Sequence, residues 1–402
     1  MSDMYNGQVL MKKIKLWITL VLHVLTRACR QPGWIRYFYQ RTQETWQSAG
    51  WHGVKNYWLG EYLPRNYLAK TRLILREPSP SIYKKLPPLL GKNYFSSVQV
   101  GPGGMSKKPR LLVIRSGAMG DVLLCTPIIR QMYQDRQGYC EIDVVTRYPE
   151  LFANNPYVSD VLSWDDVKYG DRHYDGILNL DMSQEKNRAA HITDVYAFQA
   201  FGLRDFDKQP EIFATEQDIL TVNHYRESVG QTYIVAHNRQ DANQPYRHVD
   251  ATLWRELLSE LARQSGLPIL QVGSPELDMA LDFPGAVDAR GLFSVQQTRE
   301  LIARSKLFVG YDAGPLHIAA STQVPIVAFF TLVHHSLRAP VRRNGIFVPV
   351  AAQIDCYGCA QEYPLPWGFA CRRGDSQCAK SFTVDSTLAA CLKILKEPCP
   401  AQ

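Results

Sequence analysis

The sequence predicts an α/β protein with two successive parallel-sheet units, and three observations predict it. Short apolar runs recur along the 402-residue chain from position 110 onward, each too short for a helix. Stretches with helical periodicity separate them. Two of the runs end in glycine-containing turns that open into a helix, at residues 117–120 and 310–314. Two such units in one chain imply two Rossmann-like domains facing a cleft, behind an extra N-terminal helical region.

Residues 1–100 are helix-rich in pattern and hold five of the eight Trp, at Trp17, Trp34, Trp46, Trp51 and Trp58. Gly50, Gly53, Gly60 and Pro64 divide them into short pieces. Residues 77–80 (EPSP), Pro87, Pro88 and residues 101–104 (GPGG) mark loops and a linker. The first α/β unit then opens with a buried strand over 110–115 (RLLVIR), a tight turn, and a helix over 122–133 in which Pro127 is tolerated as a bend. Strands follow at 141–146 and 175–180. The second unit repeats the plan, with strands at 233–236, 268–272, 307–309 and 325–330. Helices lie between them at 251–264, 294–303 and from 316. The predicted domains are 1–105, 106–225 and 226–402, the last with a four-cysteine insertion over 356–378.

Composition is that of a folded protein: 46% hydrophobic and 21% charged residues. The net charge of +7 is unevenly spread. Residues 1–109 hold 17 Lys and Arg against 4 Asp and Glu, while the remainder is mildly acidic. A basic, Trp-rich first quarter suits an anionic surface such as phospholipid, phosphorylated glycolipid or nucleic acid. Lys12, Lys13 and Lys15 precede an apolar run over 16–25, but no small-residue cleavage site follows. The run is shorter than the ~20 residues of a membrane span. It reads as a buried or interfacial helix, so the expected location is cytoplasmic, with peripheral contact to the inner face of the membrane. Of the nine cysteines, Cys356, Cys359, Cys371 and Cys378 are clustered. In a cytosolic chain such a cluster reads as a structural zinc or iron site, with reduced thiols or disulfides as the alternatives.

The two turns carry the candidate chemistry. Ser116, Gly117, Gly120 and Asp121 follow the first strand, at the sheet edge where ligands of α/β proteins bind. Asp121 sits near the first turn of the helix that follows, as part of a ligand site or as a simple helix cap. Asp312, Ala313, Gly314 and His317 follow the later strand, with Pro315 at a first helical position. The start of that helix offers N–H groups to a pyrophosphate, with Asp312 toward a ribose hydroxyl and His317 toward phosphate. The alternatives are a turn residue and a packed helical residue.

Together these segments resemble glycosyltransferase family 9, the ADP-heptose:lipopolysaccharide heptosyltransferases. The first motif stands here as Ser116 to Val122 followed by Thr126 and Pro127. The second stands as Asp312-Ala313-Gly314-Pro315-Leu316-His317, then Ala319, Ala320 and Pro325. Arg247 seven residues before Trp254, Glu276 shortly after Gly273, and the Arg290-Gly291 pair are weaker landmarks. Ala313 replaces the family's usual Thr, and Arg247 stands where Lys is frequent.

The resemblance implies a GT-B fold and an inverting transfer from a nucleotide sugar, ADP-heptose, to a lipopolysaccharide or other bacterial surface glycan. Asp121 would be the general base on the acceptor side, with Ser116, Gly117 and Gly120 in its loop. Arg247, Glu276, Asp312, Ala313, Gly314 and His317 would hold the donor. Catalysis would need no metal. Two other readings stay open: a nucleotide-sugar epimerase or other GT-B enzyme, and a non-enzymatic, metal-binding module for nucleic acid, which the resemblance makes the less favoured. The oligomeric state is not legible.

Overall fold

A computed structural model describes residues 108–162, 174–181, 183–186, 190–202, 205–239, 246–359, 371 and 373–396, all within one unit of the fold. The helical region expected over 1–105, and the membrane and nucleic-acid readings attached to it, lie outside the described residues.

The first half runs β1 (Arg110–Ile114), α1 (Met119–Leu123), α2 (Thr126–Asp135), β2 (Glu141–Val145), β3 (Asp160–Leu162), β4 (Gly176–Asn179), α3 (Ser183–Lys186), α4 (Ile192–Phe201) and α5 (Glu216–Val229). Its strands are all parallel, in the order β3-β2-β1-β4. Where one helix with a bend was expected at Pro127, there are two. Pro127 sits in the first turn of α2, where its missing N–H costs nothing. The strand β3 was not foreseen, because three residues at a sheet edge carry little periodicity.

The second half runs β5 (Ile234–Ala236), α6 (Ala251–Ser265), β6 (Ile269–Gln271), β7 (Ala286–Asp288), α7 (Val295–Ala303), β8 (Leu307–Tyr311), α8 (Gly314–Ala320), β9 (Ile326–Phe330), β10 (Phe347–Ala351) and α9 (Val384–Lys396). The sheet order is β10-β9-β8-β5-β6-β7, all parallel. Renumbered within the half, this is 6-5-4-1-2-3, the doubly wound order. The two edge strands, β7 and β10, escaped the sequence reading. Ala352 donates to Phe330 and Ile346 accepts from Ile326, so even-numbered residues of β10 face β9. Pro349 therefore turns its nitrogen away from β9, to what is the sheet edge among the described residues.

Local chemistry sets the helix limits. Thr215 and Asp218 form a reciprocal capping box on α5, and Ser294 and Gln297 form another on α7. Asp250 caps α6, whose Trp254, Leu257, Leu258 and Leu261 form one apolar stripe. That stripe packs on Val309 and Phe329 on one face of the second sheet, together with Leu388 and Cys391 of α9. On the other face a continuous core joins Val235, Phe308 and Ala328 to Leu316 and Ile318 of α8. It continues into Leu123, Ile128 and the apolar residues of β1 and β2. The two halves thus share a core where α1 meets α8.

Trp254 is 3% exposed and meets the Phe329 ring at 5.9 Å. Trp254→Ala should cost about 3–5 kcal/mol, read as a lower denaturation midpoint with an unchanged slope.

Candidate active site

Both glycine turns fall where the strand order of their sheet reverses, outside the carboxyl ends of the strands. This is the position that parallel sheets give to ligands. In the first sheet the reversal lies between β1 and β4, which place Arg115, Ser116 and Asp181 side by side. Ser116 donates its N–H (2.7 Å) and its hydroxyl (2.8 Å) to the Asp181 carboxylate, which fixes the loop. Arg115 is 1% exposed; it donates to the Leu180 carbonyl at 3.1 Å and lies over the Tyr196 ring at 5.6 Å. Gly117 lies directly against its guanidinium.

Asp121 stands in the first turn of α1 but does not cap it, since no side chain caps that helix. Its carboxylate turns inward instead. Oδ2 accepts from Arg115 Nη2 at 2.7 Å, and Oδ1 accepts from Arg338 Nη1 at 2.8 Å. Burial alone would push the Asp121 carboxyl up. The guanidiniums of Arg338 and Arg115 outweigh it and, with His317, hold the group at about 2. Asp121 is thus a carboxylate at every ordinary pH.

Arg338 reaches it from the second half. It follows a 3-10 turn (His335–Leu337) after β9, and its other amino group donates to Gln184 Oε1 at 2.9 Å. His191 holds the same loop: its Nε2 meets the Ala339 carbonyl at 2.9 Å, and its Nδ1 accepts from the Thr193 N–H. Nε2 therefore carries the proton. Burial drives the His191 ring down to about 4, against the bond to Ala339, so it is neutral.

The second turn closes on the first. A Cβ on Gly120 would stand 2.5 Å from Cδ2 of His317, and one on Gly314 would stand 3.1 Å from the Met119 sulfur. The two glycines let the starts of α1 and α8 touch. His317 is therefore a packed helical residue, and it also faces Asp312 at 3.8 Å. Burial would raise the Asp312 carboxyl. The His317 hydrogen bond, then the charges of Arg338, Arg247 and His317, lower it instead. Arg247 thus lies within charge reach of Asp312, and its carbonyl accepts from Thr331 Oγ1 at 3.1 Å. Ala313 is the N-cap of α8 and supplies no side-chain cap.

Glu276 is elsewhere. It is exposed and accepts from the Ser274 hydroxyl within its own turn. The carboxylate that points inward beneath Gly273 is Asp278. It accepts the Ser274 N–H at 2.7 Å and faces His237 Nε2 at 3.5 Å. His237 in turn stacks on Tyr311, with ring centroids 5.5 Å apart. His237 Nδ1, Asn238 Oδ1 and Asp278 Oδ1 are buried without a hydrogen-bond partner among the described residues. Unpaired polar atoms are costly to bury, and these line the β5–β8 reversal. They suit a polar ligand.

The cysteines converge in part. All four are free thiols. Burial first, then the neighbouring Cys371, Cys359 and Cys356, push the Cys378 thiol up to about 12. Cys371 is lowered: burial opposes this, but the backbone N–H groups of residues 373–376 turn toward its sulfur. A thiolate in a nest of N–H groups suits metal ligation. Among the described residues, however, no three His, Cys, Asp or Glu side chains are grouped as a metal-binding set. Residues 360–370, between the two pairs, lie outside them. Among the described residues no helix is long and apolar enough to cross a membrane.

The sequence reading assigned Arg115 no role of its own and left Arg338 out. Arg115 had a visible signal, a charge ending an apolar strand just before the turn. Arg338, Gln184, His191 and Asp278 had none in their local sequence.

With this geometry in view, residues 198–362 match the family profile described as glycosyltransferase family 9 (heptosyltransferase). The match takes in the second turn and stops short of the first. Among solved structures, the glycosyl transferase family 9 protein from Veillonella parvula DSM 2008 superposes with a TM-score of 0.58 at 16% identity, over 73% of this chain and 98% of that one. The E. coli ADP-heptose lps heptosyltransferase II gives 0.53 at 15% identity, over 71% and 98%. The bacterial iron-containing dodecameric glycosyltransferase TibC from enterotoxigenic E. coli H10407 gives 0.54 at 13%, over 72% and 76%, and a complex of TibC holds ADP-D-beta-D-heptose. At these identities the likeness is one of fold: two facing α/β halves of GT-B type. No curated protein matches the chain in sequence.

Gly120→Ala should force the His317 ring aside and destabilise the chain by about 1–3 kcal/mol in urea titration. His317→Ala in the same chain should restore most of that loss. A double variant as unstable as the sum of the singles would show that the two residues do not share the space.

Proposed function

We propose, on the match of residues 198–362 to the glycosyltransferase family 9 profile, that the chain is a glycosyltransferase that transfers heptose from ADP-heptose to a hydroxyl of a bacterial surface glycan such as lipopolysaccharide. The observation that carries this reading is the convergence of the two turns. The turn of Asp121 in one half meets Gly314 and His317 of the other, and Arg338 acts on both Asp121 and Asp312, at the sheet edges where an acceptor and a donor would meet.

The reaction is a single displacement. The acceptor hydroxyl loses its proton to the Asp121 carboxylate as its oxygen bonds to the anomeric carbon. The bond from that carbon to the diphosphate breaks on the opposite face, and its electron pair leaves with the nucleoside diphosphate. Arg247 lies near Asp312 and would stabilise the charge developing on the diphosphate, together with the N–H groups of Ala313 and Gly314. Ionised Asp312 can only accept hydrogen bonds, which suits a sugar hydroxyl. The buried His237, Asn238 and Asp278 would take the nucleoside, with Glu276 at the rim. Arg247 and these N–H groups would support transfer without a divalent metal.

The four cysteines would hold a structural zinc or iron ion. Cys371 in its N–H nest fits a thiolate ligand, and Cys356, Cys359 and Cys378 fit by residue type. The ion would tie the residues before 360 to those after 370, and it takes no part in transfer. The domain limits of 106–225 and 226–402, a cytoplasmic location, and contact of the basic residues 1–105 with a glycolipid-bearing membrane belong to the same reading.

Asp121→Asn should lower transfer by about 10²-fold or more while ADP affinity, read by calorimetry, changes little. Turnover near the wild-type rate would remove Asp121 from its role, and tighter binding of UDP or GDP than ADP would overturn the donor. Elemental analysis of the purified chain should find about one zinc or iron per chain. Cys356→Ser should lose it and lower the melting temperature; a metal-free chain of unchanged stability would end the metal reading.

A further inference from the structure

We infer that Arg338 is a displaceable counter-ion, which covers Asp121 while the donor site is empty and moves onto the donor's diphosphate when the nucleotide sugar binds, leaving Asp121 to take the acceptor proton. The inference rests on the reading of Asp121 as base and of the second turn as donor site, and deepens it.

The starting problem is geometric. Each oxygen of the Asp121 carboxylate is bonded to a guanidinium, Oδ2 to Arg115 and Oδ1 to Arg338. A carboxylate so paired binds a proton poorly, so a base in this place must first lose a cation. The two arginines are not equivalent. Arg115 is buried to 1% exposure, bonded to the Leu180 carbonyl and laid over Tyr196. Its departure would uncover a buried charge. Arg338 sits at the cleft margin, with its side chain 15% exposed, on a loop beyond a single 3-10 turn. It belongs to the same half as Asp312 and already lies close enough to lower the Asp312 carboxyl. A change of side-chain rotamer, with the backbone held by His191, Ala339 and Tyr357, would carry its fork between the two turns. The planar guanidinium suits two diphosphate oxygens as well as it suits one carboxylate and one amide.

The charge balance works in both positions. With Arg338 gone, Asp121 keeps Arg115 as its partner, and Arg338 meets an anion. The other groups facing Asp121 do not replace it. His317 of α8 is committed to Asp312, the Asp181 side chain after β4 accepts from Ser116 and faces Arg115, and the Cys125 thiol of the α1–α2 junction is held protonated by burial. The consequence is an ordered site: the base is released by the leaving group that the reaction must expel.

The test uses the full chain, with ADP as probe. Calorimetry should show Arg338→Met binding ADP about tenfold to a hundredfold more weakly than wild type, with Arg338→Lys recovering much of the loss. The Asp121 carboxyl, followed by carbon-13 NMR, should titrate higher in Arg338→Met than in wild type. ADP should raise it in wild type and add little in the variant. A merely structural Arg338 would lower stability but leave the ADP-induced shift intact. Equal ADP affinity in wild type and Arg338→Met, or an Asp121 titration that ADP does not move in wild type, would overturn the inference. Failure of the underlying reading looks different: the wild-type chain would bind no nucleoside diphosphate, or Asp121→Asn would transfer normally.

Discussion

Asp121 is held as a charge, partly withdrawn from water, because Arg115 and Arg338 each bond one of its carboxylate oxygens, and much of the site follows from that pairing. A carboxylate withdrawn from water is tolerated only with compensating charge and hydrogen bonds. One cation comes from the sheet beneath Asp121 and the other from the facing half. The cluster therefore fixes the start of α1 and also sets the spacing between the halves. At that spacing His317 fills the space over Gly120, Gln184 meets Arg338, and His191 meets the Ala339 carbonyl. Farther along the same joint, Arg343 and Arg130 both reach Asp207.

The two halves use one device twice with different results. At the β1–β4 reversal the strand ends carry Arg115 and Asp181, which are spent on organising the turn. At the β5–β8 reversal they carry His237, Asn238 and Asp312, with polar atoms of the first two left unpaired among the described residues. The first half holds Asp121 between two guanidiniums, and the second keeps hydrogen-bonding capacity in reserve. That division suits the proposed base on one side and the proposed polar donor on the other. The cysteine segment braces the second half. Tyr357, between Cys356 and Cys359, accepts the His335 N–H below Arg338, while the Cys378 thiol donates to the Tyr246 carbonyl beside Arg247.

The central strands and both glycine turns were legible in the sequence, because a buried parallel strand writes a continuous apolar run and a tight turn needs glycine. The edge strands β3, β7 and β10 were not, since three half-exposed residues or a proline-containing run carry no such signature. Pro127 was misplaced as a bend because periodicity continues across the junction of α1 and α2. Asp121, Asp312, Gly314 and His317 could be found as motif residues, but the approach of the Asp121 turn to the other three is purely tertiary. Arg338 lies 217 residues from Asp121, and nothing local distinguishes it from other surface arginines. Glu276 drew attention by its distance from Gly273, whereas Asp278, two residues on, is the one whose side chain turns inward.

The outer margin of β10 has a bearing on how copies of the chain can assemble. An open parallel edge invites a further strand, and most proteins must blunt it. Here odd-numbered residues present their amides outward, and at the middle of the row Pro349 has none to present. A strand laid alongside would lose a bond at its centre and meet the pyrrolidine ring. The proline thus works as a guard against sheet-to-sheet aggregation on that side. Any ordered oligomer is directed toward side-chain surfaces, helices or loops, and away from growth of the sheet through β10.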